Sequence, residues 1–148
     1  MTTREKIIDV ALKEVGYSES EGNKTKYGVW FGWDGQEWCG IFCSWVYFMA
    51  GVPIKKGGFS MGFAGVGTLL NNYRKNMTND PQHGDLVIFD WNLDNKPDHV
   101  ALFNGWIVKG KSFKTIEGNT SLANDSSGGR VMERERKTTL TQCFISLV

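Results

Sequence analysis

Apolar residues in the first part of the chain recur at helical spacing, and in the second part they alternate. Ile7, Ile8, Ala11, Leu12 and Val15 mark a helix over Thr3–Val15, with Thr2 or Thr3 placed to cap it and Gly16 to stop it. Residues 17–26 are polar and read as a loop. From Tyr27 to Trp38, aromatics are interspersed with Gly, Asp and Gln, and no regular element is predicted. Cys39–Ala50 (CGIFCSWVYFMA) is apolar almost all round and closes at Gly51-Val52-Pro53, as a buried helix does before proline. Within it Trp45 is expected in the core. A third helix is predicted over Ser60–Lys75, with Phe63, Val66, Leu69, Leu70 and Tyr73 inward, although its glycines disfavour it.

After Pro81 the period shortens. Asp85–Trp91, His99–Phe103, Ser112–Glu117, Gly129–Arg136 and Gln142–Leu147 read as strands separated by turn residues. Helices first and strands afterwards, with no helix between successive strands, imply an α+β fold. N-terminal helices would pack on an antiparallel sheet of about five to six strands. No repeat, low-complexity tract or linker divides residues 1–148, so one domain is expected and no separate binding module.

Composition narrows the class. With 41% hydrophobic and 22% charged residues the chain is globular, and a formal net charge of +1 offers no global attraction to nucleic acid. Met1–Val15 has no apolar run of signal-peptide length, and no segment is long enough to span a bilayer. A monomer acting without membrane or nucleic acid is expected. Nothing in Met1–Val15 addresses the chain to the secretory pathway. Three cysteines, Cys39, Cys43 and Cys143, cannot all pair, and none has zinc-site spacing.

Chemistry concentrates at Cys39. A thiol at the start of a helix meets unpaired backbone N–H groups and the positive end of the macrodipole, which favour thiolate. The ordinary role of a cysteine is burial in a core, so neighbouring residues must decide. Those neighbours are Glu37-Trp38-Cys39-Gly40-Ile41-Phe42-Cys43-Ser44-Trp45, then Gly84-Asp85-Leu86-Val87-Ile88-Phe89, Asp98-His99-Val100-Ala101-Leu102 and Ile116-Glu117-Gly118-Asn119-Thr120. In order and spacing these four blocks resemble the CHAP family of cysteine- and histidine-dependent amidohydrolases and peptidases, over nearly the whole chain.

The resemblance implies a papain-like fold and cleavage of the peptide part of bacterial peptidoglycan, with phage endolysins among the similar enzymes. Cys39 would be nucleophile, His99 general base and acid, Glu117 the group orienting the imidazole, and Asn119 a supporting polar residue. N-acetylmuramoyl-L-alanine amidase action is favoured slightly over endopeptidase action. The alternatives are a non-catalytic wall-binding module and a delivered amidase toxin. Many family members bind calcium through an aspartate-rich loop before the nucleophile. Here that loop is Gly22-Asn23-Lys24-Thr25-Lys26-Tyr27-Gly28, with two lysines and no aspartate, although Asp34 and Glu37 follow it. No metal or other cofactor is expected.

Three further expectations concern geometry. A hairpin that places His99 opposite Glu117, with Ala101 opposite Thr115, sets imidazole and carboxylate within reach. The competing register, with a turn at Asn104-Gly105, would place His99 opposite Gly110. Of six tryptophans, Trp30, Trp33, Trp38 and Trp91 fall in segments flanking the expected cleft and are candidates for substrate binding. The backbone N–H of Cys39 is the first candidate oxyanion donor, and Gln36 the second. His83 reads as an exposed turn residue, and Cys43 and Cys143 as apolar fillers.

Overall fold

In the computed structural model, which describes residues 1–148, helix α1 (Thr3–Leu12) begins with a reciprocal cap. Thr2 Oγ1 accepts from Glu5 N at 3.1 Å and Glu5 Oε2 accepts from Thr2 N at 2.7 Å. The helix stops short of the expected Val15, which is exposed on a turn that ends at Gly16 with φ 99°. Helix α2 (Lys26–Phe31) lies where no element was expected. Six residues are too few for a period to show; Thr25 caps it through Gly28 N, and Gly32 ends it in the left-handed region.

Helix α3 (Cys39–Met49) is the central helix foreseen. Its Ser44 is fully buried, and the hydroxyl accepts from Phe63 N and faces Phe63 O, both at 2.9 Å. That contact ties α3 to a hairpin of β1 (Gly58–Phe59) and β2 (Gly62–Phe63). The hairpin takes residues the pattern assigned to a third helix, so helix α4 is only Val66–Asn72. Trp45, expected in the core, is half-buried: its ring lies against Tyr27 at 5.0 Å and under the Lys26 ammonium.

The main sheet is antiparallel with strand order β3-β8-β4-β5-β6-β7. Its strands are β3 (Met77–Thr78), β4 (Leu86–Phe89), β5 (His99–Val108), β6 (Ser112–Thr120), β7 (Arg130–Lys137) and β8 (Thr141–Ile145). Alternation along each strand serves two cores. Leu86, Ile88, Val100, Leu102, Ile116, Val131 and Ile145 join the helices in one, while Val87, Phe89, Ala101, Phe103 and Phe113 form a second. No helix is long and apolar enough to cross a membrane.

Neither expected register of the β5–β6 hairpin is present. Leu102 pairs with Ile116 and Phe103 with Thr115, two residues from the favoured alignment. Asn104-Gly105 is not the turn; the ladder is irregular there, β5 runs on to Val108, and the chain reverses around Gly110. A slip of two preserves the alternation of faces, so His99 and Glu117 still share one face, as diagonal rather than direct neighbours.

Candidate active site

Cys39 is the first residue of α3, preceded by Trp38, and no side chain caps the helix. Its first-turn N–H groups therefore have no helical acceptor and remain at the positive end of the dipole. Trp38 is 1% exposed, so it is not the groove wall expected of it. Its indole N–H donates to Glu19 Oε1 at 3.0 Å and its ring stacks on Tyr27 at 5.6 Å, which anchors the residue before Cys39. Two glycines let α3 sit close. A Cβ on Gly40 would fall 2.6 Å from Ala64 O, and one on Gly118 would fall 2.7 Å from Phe42 Cβ.

His99 opens β5, which packs against α3, and the Cys39 thiol is near enough to influence the charge of its ring. The imidazole is fully buried, with Nε2 2.9 Å from Glu117 Oε1 and Nδ1 buried without a hydrogen-bond partner. An ionised carboxylate can only accept, so Nε2 carries its proton and Nδ1 is the position left for exchange with sulfur. Burial opposes a charge on His99, but the neighbouring Cys39 thiol and then Glu117 outweigh it and raise its pKa to about 9. Phe89 and Trp91 stack at 5.9 and 5.8 Å from the ring and restrict its rotation.

Both Glu117 oxygens are fully engaged. Arg136 Nη2 donates to Oε1 at 2.6 Å, Arg136 Nε to Oε2 at 2.7 Å, and Thr115 Oγ1 to Oε2 at 2.5 Å. Burial alone would raise the Glu117 pKa; Arg136 and His99 overcome it and bring it down to about 2. Cys43, one turn after Cys39, is fully buried, and burial pushes its thiol well above the ordinary value. Burial likewise raises half-buried Cys143 to about 11. Both suit the filler role expected of them.

Asn119 makes no hydrogen bond to the His99 ring. It has φ 58°, donates from Nδ2 to Glu37 Oε2 at 2.5 Å, and accepts from Gly129 N at 3.1 Å through Oδ1. Glu37 also accepts from Ser127 Oγ at 3.0 Å. Asn119 thus ties the segment before Cys39 to the end of β6 and to loop 121–129. Sequence reasoning gave Arg136, Thr115 and Ser127 no part in the site, and named Glu37 only within the Cys39 block and as an acid following the calcium loop. Arg136 pairs with Phe113 in the ladder and reaches Glu117 diagonally, so nothing in its local pattern announces it.

Of the three other candidate tryptophans, Trp91 adjoins His99. Trp30 packs on Phe31 and Phe48, and Trp33 is 45% exposed beside Phe59 at 5.6 Å. Gln36 is half-exposed and its side chain is held by no hydrogen bond. Asp34 Oδ1 accepts from Thr25 N and Gly35 N. One acidic group, Asp90, Asp94 and Asp98 after β4, brings its carboxylates within 4.8 Å of each other. Asp90 already accepts from Asp94 N and Asn95 N. His83 is exposed, as expected, and its Nδ1 lies 3.0 Å from Asn104 Oδ1.

Comparison with known proteins agrees with this geometry. A family model described as CHAP domain matches residues 30–119, more than half of the chain. No curated protein matches it. Among solved structures the chain is similar to the peptidoglycan hydrolase RipB of Mycobacterium tuberculosis, at 17% identity and a TM-score of 0.55, over 99% of this chain and 65% of that one. RipD of the same organism, described as a non-catalytic NlpC/p60 domain protein adapted to peptidoglycan binding, is 15% identical with a TM-score of 0.55, over 100% and 99%. A protein of Staphylococcus aureus Mu50, described as similar to a lipoprotein of the NLP/P60 family, is 17% identical with a TM-score of 0.51, over 99% and 41%. At these identities the likenesses show the fold: helices packed on an antiparallel sheet.

Proposed function

The chain belongs to the CHAP domain family, and we propose that it hydrolyses an amide bond in the peptide part of bacterial peptidoglycan through a thioester on Cys39. The observation that carries this reading is His99. One ring nitrogen is tied to Glu117 and the other is buried, unpartnered and next to the Cys39 thiol.

The thiol proton passes to His99 Nδ1, giving a thiolate and an imidazolium that Glu117 stabilises. Sulfur attacks the amide carbonyl, and the Cys39 N–H donates to the oxygen as it becomes anionic. Nδ1 protonates the leaving nitrogen as the C–N bond breaks, leaving a thioester. Water then loses a proton to Nδ1 while attacking the thioester, and the product acid leaves as sulfur departs. Every proton moves between Cys39, His99, substrate and water.

The bond favoured is the one between muramic acid and L-alanine. The test is mass spectrometry of fragments from several purified peptidoglycans, with Cys39→Ala beside the wild type. New amino termini on L-alanine are expected from the wild type alone. New termini on glycine or another bridge residue would mean endopeptidase action, and no Cys39-dependent fragments from any wall would overturn the proposal. That last outcome would favour a binding module of the kind RipD is described as being.

A further inference from the structure

The side chain that closes the site from behind is Arg136, and the reaction proposed above gives it no role. Its guanidinium is 8% exposed, lies 5.0 Å from the Trp91 ring and 5.6 Å from Phe89, and spends Nε and Nη2 on the two oxygens of Glu117. Nη1 reaches outward to Asp125 Oδ1 at 2.8 Å. Asp125 is held a second time by Arg134, which also donates to Thr120 Oγ1 and Ser121 O. A continuous line of charge-assisted bonds therefore runs from His99 through Glu117 and Arg136 to loop 121–129.

We infer that Arg136 is a positioning residue, a two-point clamp that fixes the plane and the charge of Glu117 so that His99 presents Nδ1 to Cys39. A carboxylate gripped on both oxygens cannot turn about its last bond, and a planar guanidinium supplies that grip where an ammonium cannot. Take Arg136 away, and Glu117, itself fully buried, keeps only Thr115 and His99. It then rotates or takes a proton, and a neutral Glu117 no longer favours the imidazolium that accompanies a Cys39 thiolate. The direct repulsion between Arg136 and the imidazolium acts the other way, but the carboxylate lies between them, and the lost contact is the one at 2.9 Å.

The charged and titratable groups that enter are few. Glu117 is faced by His99 from β5, Arg136 from β7 and Cys43 from α3, and His99 in turn is faced by Cys39. Arg136 is faced by Glu117 and by Asp125, which Arg134 shares; β4 presents it only aromatic rings.

The inference rests on Cys39 and His99 acting as a thiolate pair, so the test uses a readout independent of any wall polymer. The rate of Cys39 alkylation by iodoacetamide is followed by mass spectrometry from pH 4 to 10, in the wild type, Arg136→Gln and Arg136→Lys. The inflection of the wild-type profile is the reference for both variants. In Arg136→Gln it moves up by about one pH unit, roughly tenfold slower labelling on the acid side, with the same plateau at high pH. Arg136→Lys keeps the buried charge and serves if the glutamine variant does not fold. It is expected to shift the inflection less, and to lower kcat on wall substrate by about tenfold with KM unchanged. Folded variants with the wild-type inflection and wild-type kcat would overturn the clamp while leaving the nucleophile intact. Wild-type Cys39 that labels no faster than an ordinary thiol at acid pH would overturn both readings together.

Discussion

Glu117→Gln tests the site most sharply, because an orienting carboxylate alone and a carboxylate paired with Arg136 predict different results. If Glu117 only orients the ring, the isosteric amide lowers turnover and leaves folding nearly unchanged. The structure adds a cost. The amide offers one acceptor where four donors converge, so an N–H is set against Arg136 or His99, and the arginine charge, 8% exposed, loses its buried partner. Removing one member of a buried ion pair costs about 3–5 kcal/mol, and Arg136 retains half-exposed Asp125, which points to the lower end. The carboxyl pKa gives a similar size: a fall from 4.5 to about 2 corresponds to roughly 3 kcal/mol.

In a chain of this length that is a fall in Tm of roughly 6–12 °C. The pH dependence has a definite sign. A carboxyl whose pKa is depressed on folding contributes its full stability above about 4.5, and the contribution is lost as pH falls through about 2. Thermal melts followed by circular dichroism should show the full deficit at pH 6–7 and a shrinking one below pH 4. The double variant Glu117→Gln, Arg136→Met should recover most of the Tm without activity, since an apolar replacement removes the stranded charge. A single variant melting within about 2 °C of wild type at neutral pH would refute the buried pair. A fully active double variant would remove Glu117 from the reaction.

Three other outcomes follow. Gly118→Ala sets a Cβ 2.7 Å from Phe42 Cβ, and forcing α3 off the sheet should cost about 1–3 kcal/mol and most of the activity; a melt and a turbidity assay matching wild type would contradict that packing. The single-turnover rate of thioester formation should decline as His99 loses its proton through about pH 9, so a plateau continuing past pH 10.5, about one and a half units higher, would dismiss His99 as the acid. EDTA should leave lytic activity unchanged, since loop 22–28 lacks aspartate. Calcium-restored activity that disappears in Asp94→Asn would instead assign a cation to Asp90, Asp94 and Asp98.

What the chain declares locally is what depends on local spacing. Helix α3 and the start of α1 were legible because apolar period, caps and a following proline act within a few residues. The strands were legible by alternation, and the four blocks around Cys39, His99, Glu117 and Asn119 by their order. Helix α2 was too short to show a period, and the β1–β2 hairpin displaced half of a predicted helix because Ser44, far along the chain, satisfies Phe63. The hairpin of β5 and β6 settled two residues from the expected alignment, and a bulge at Asn104-Gly105 has no distinct local code.

Tertiary structure alone decided the environment of Cys39 and His99. Trp38 turned from groove to anchor because Glu19 and Tyr27 come together only in the fold. Arg136 became part of the site because β7 lies beside β6 and its long side chain crosses the ladder diagonally to a carboxylate sealed from water. Residue types and their order announce which chemistry is available, since a thiol, an imidazole and a carboxylate are properties of single residues. Which charges are held, and in what orientation, depends on desolvation and on partners distant in sequence, and these exist only once the chain is packed.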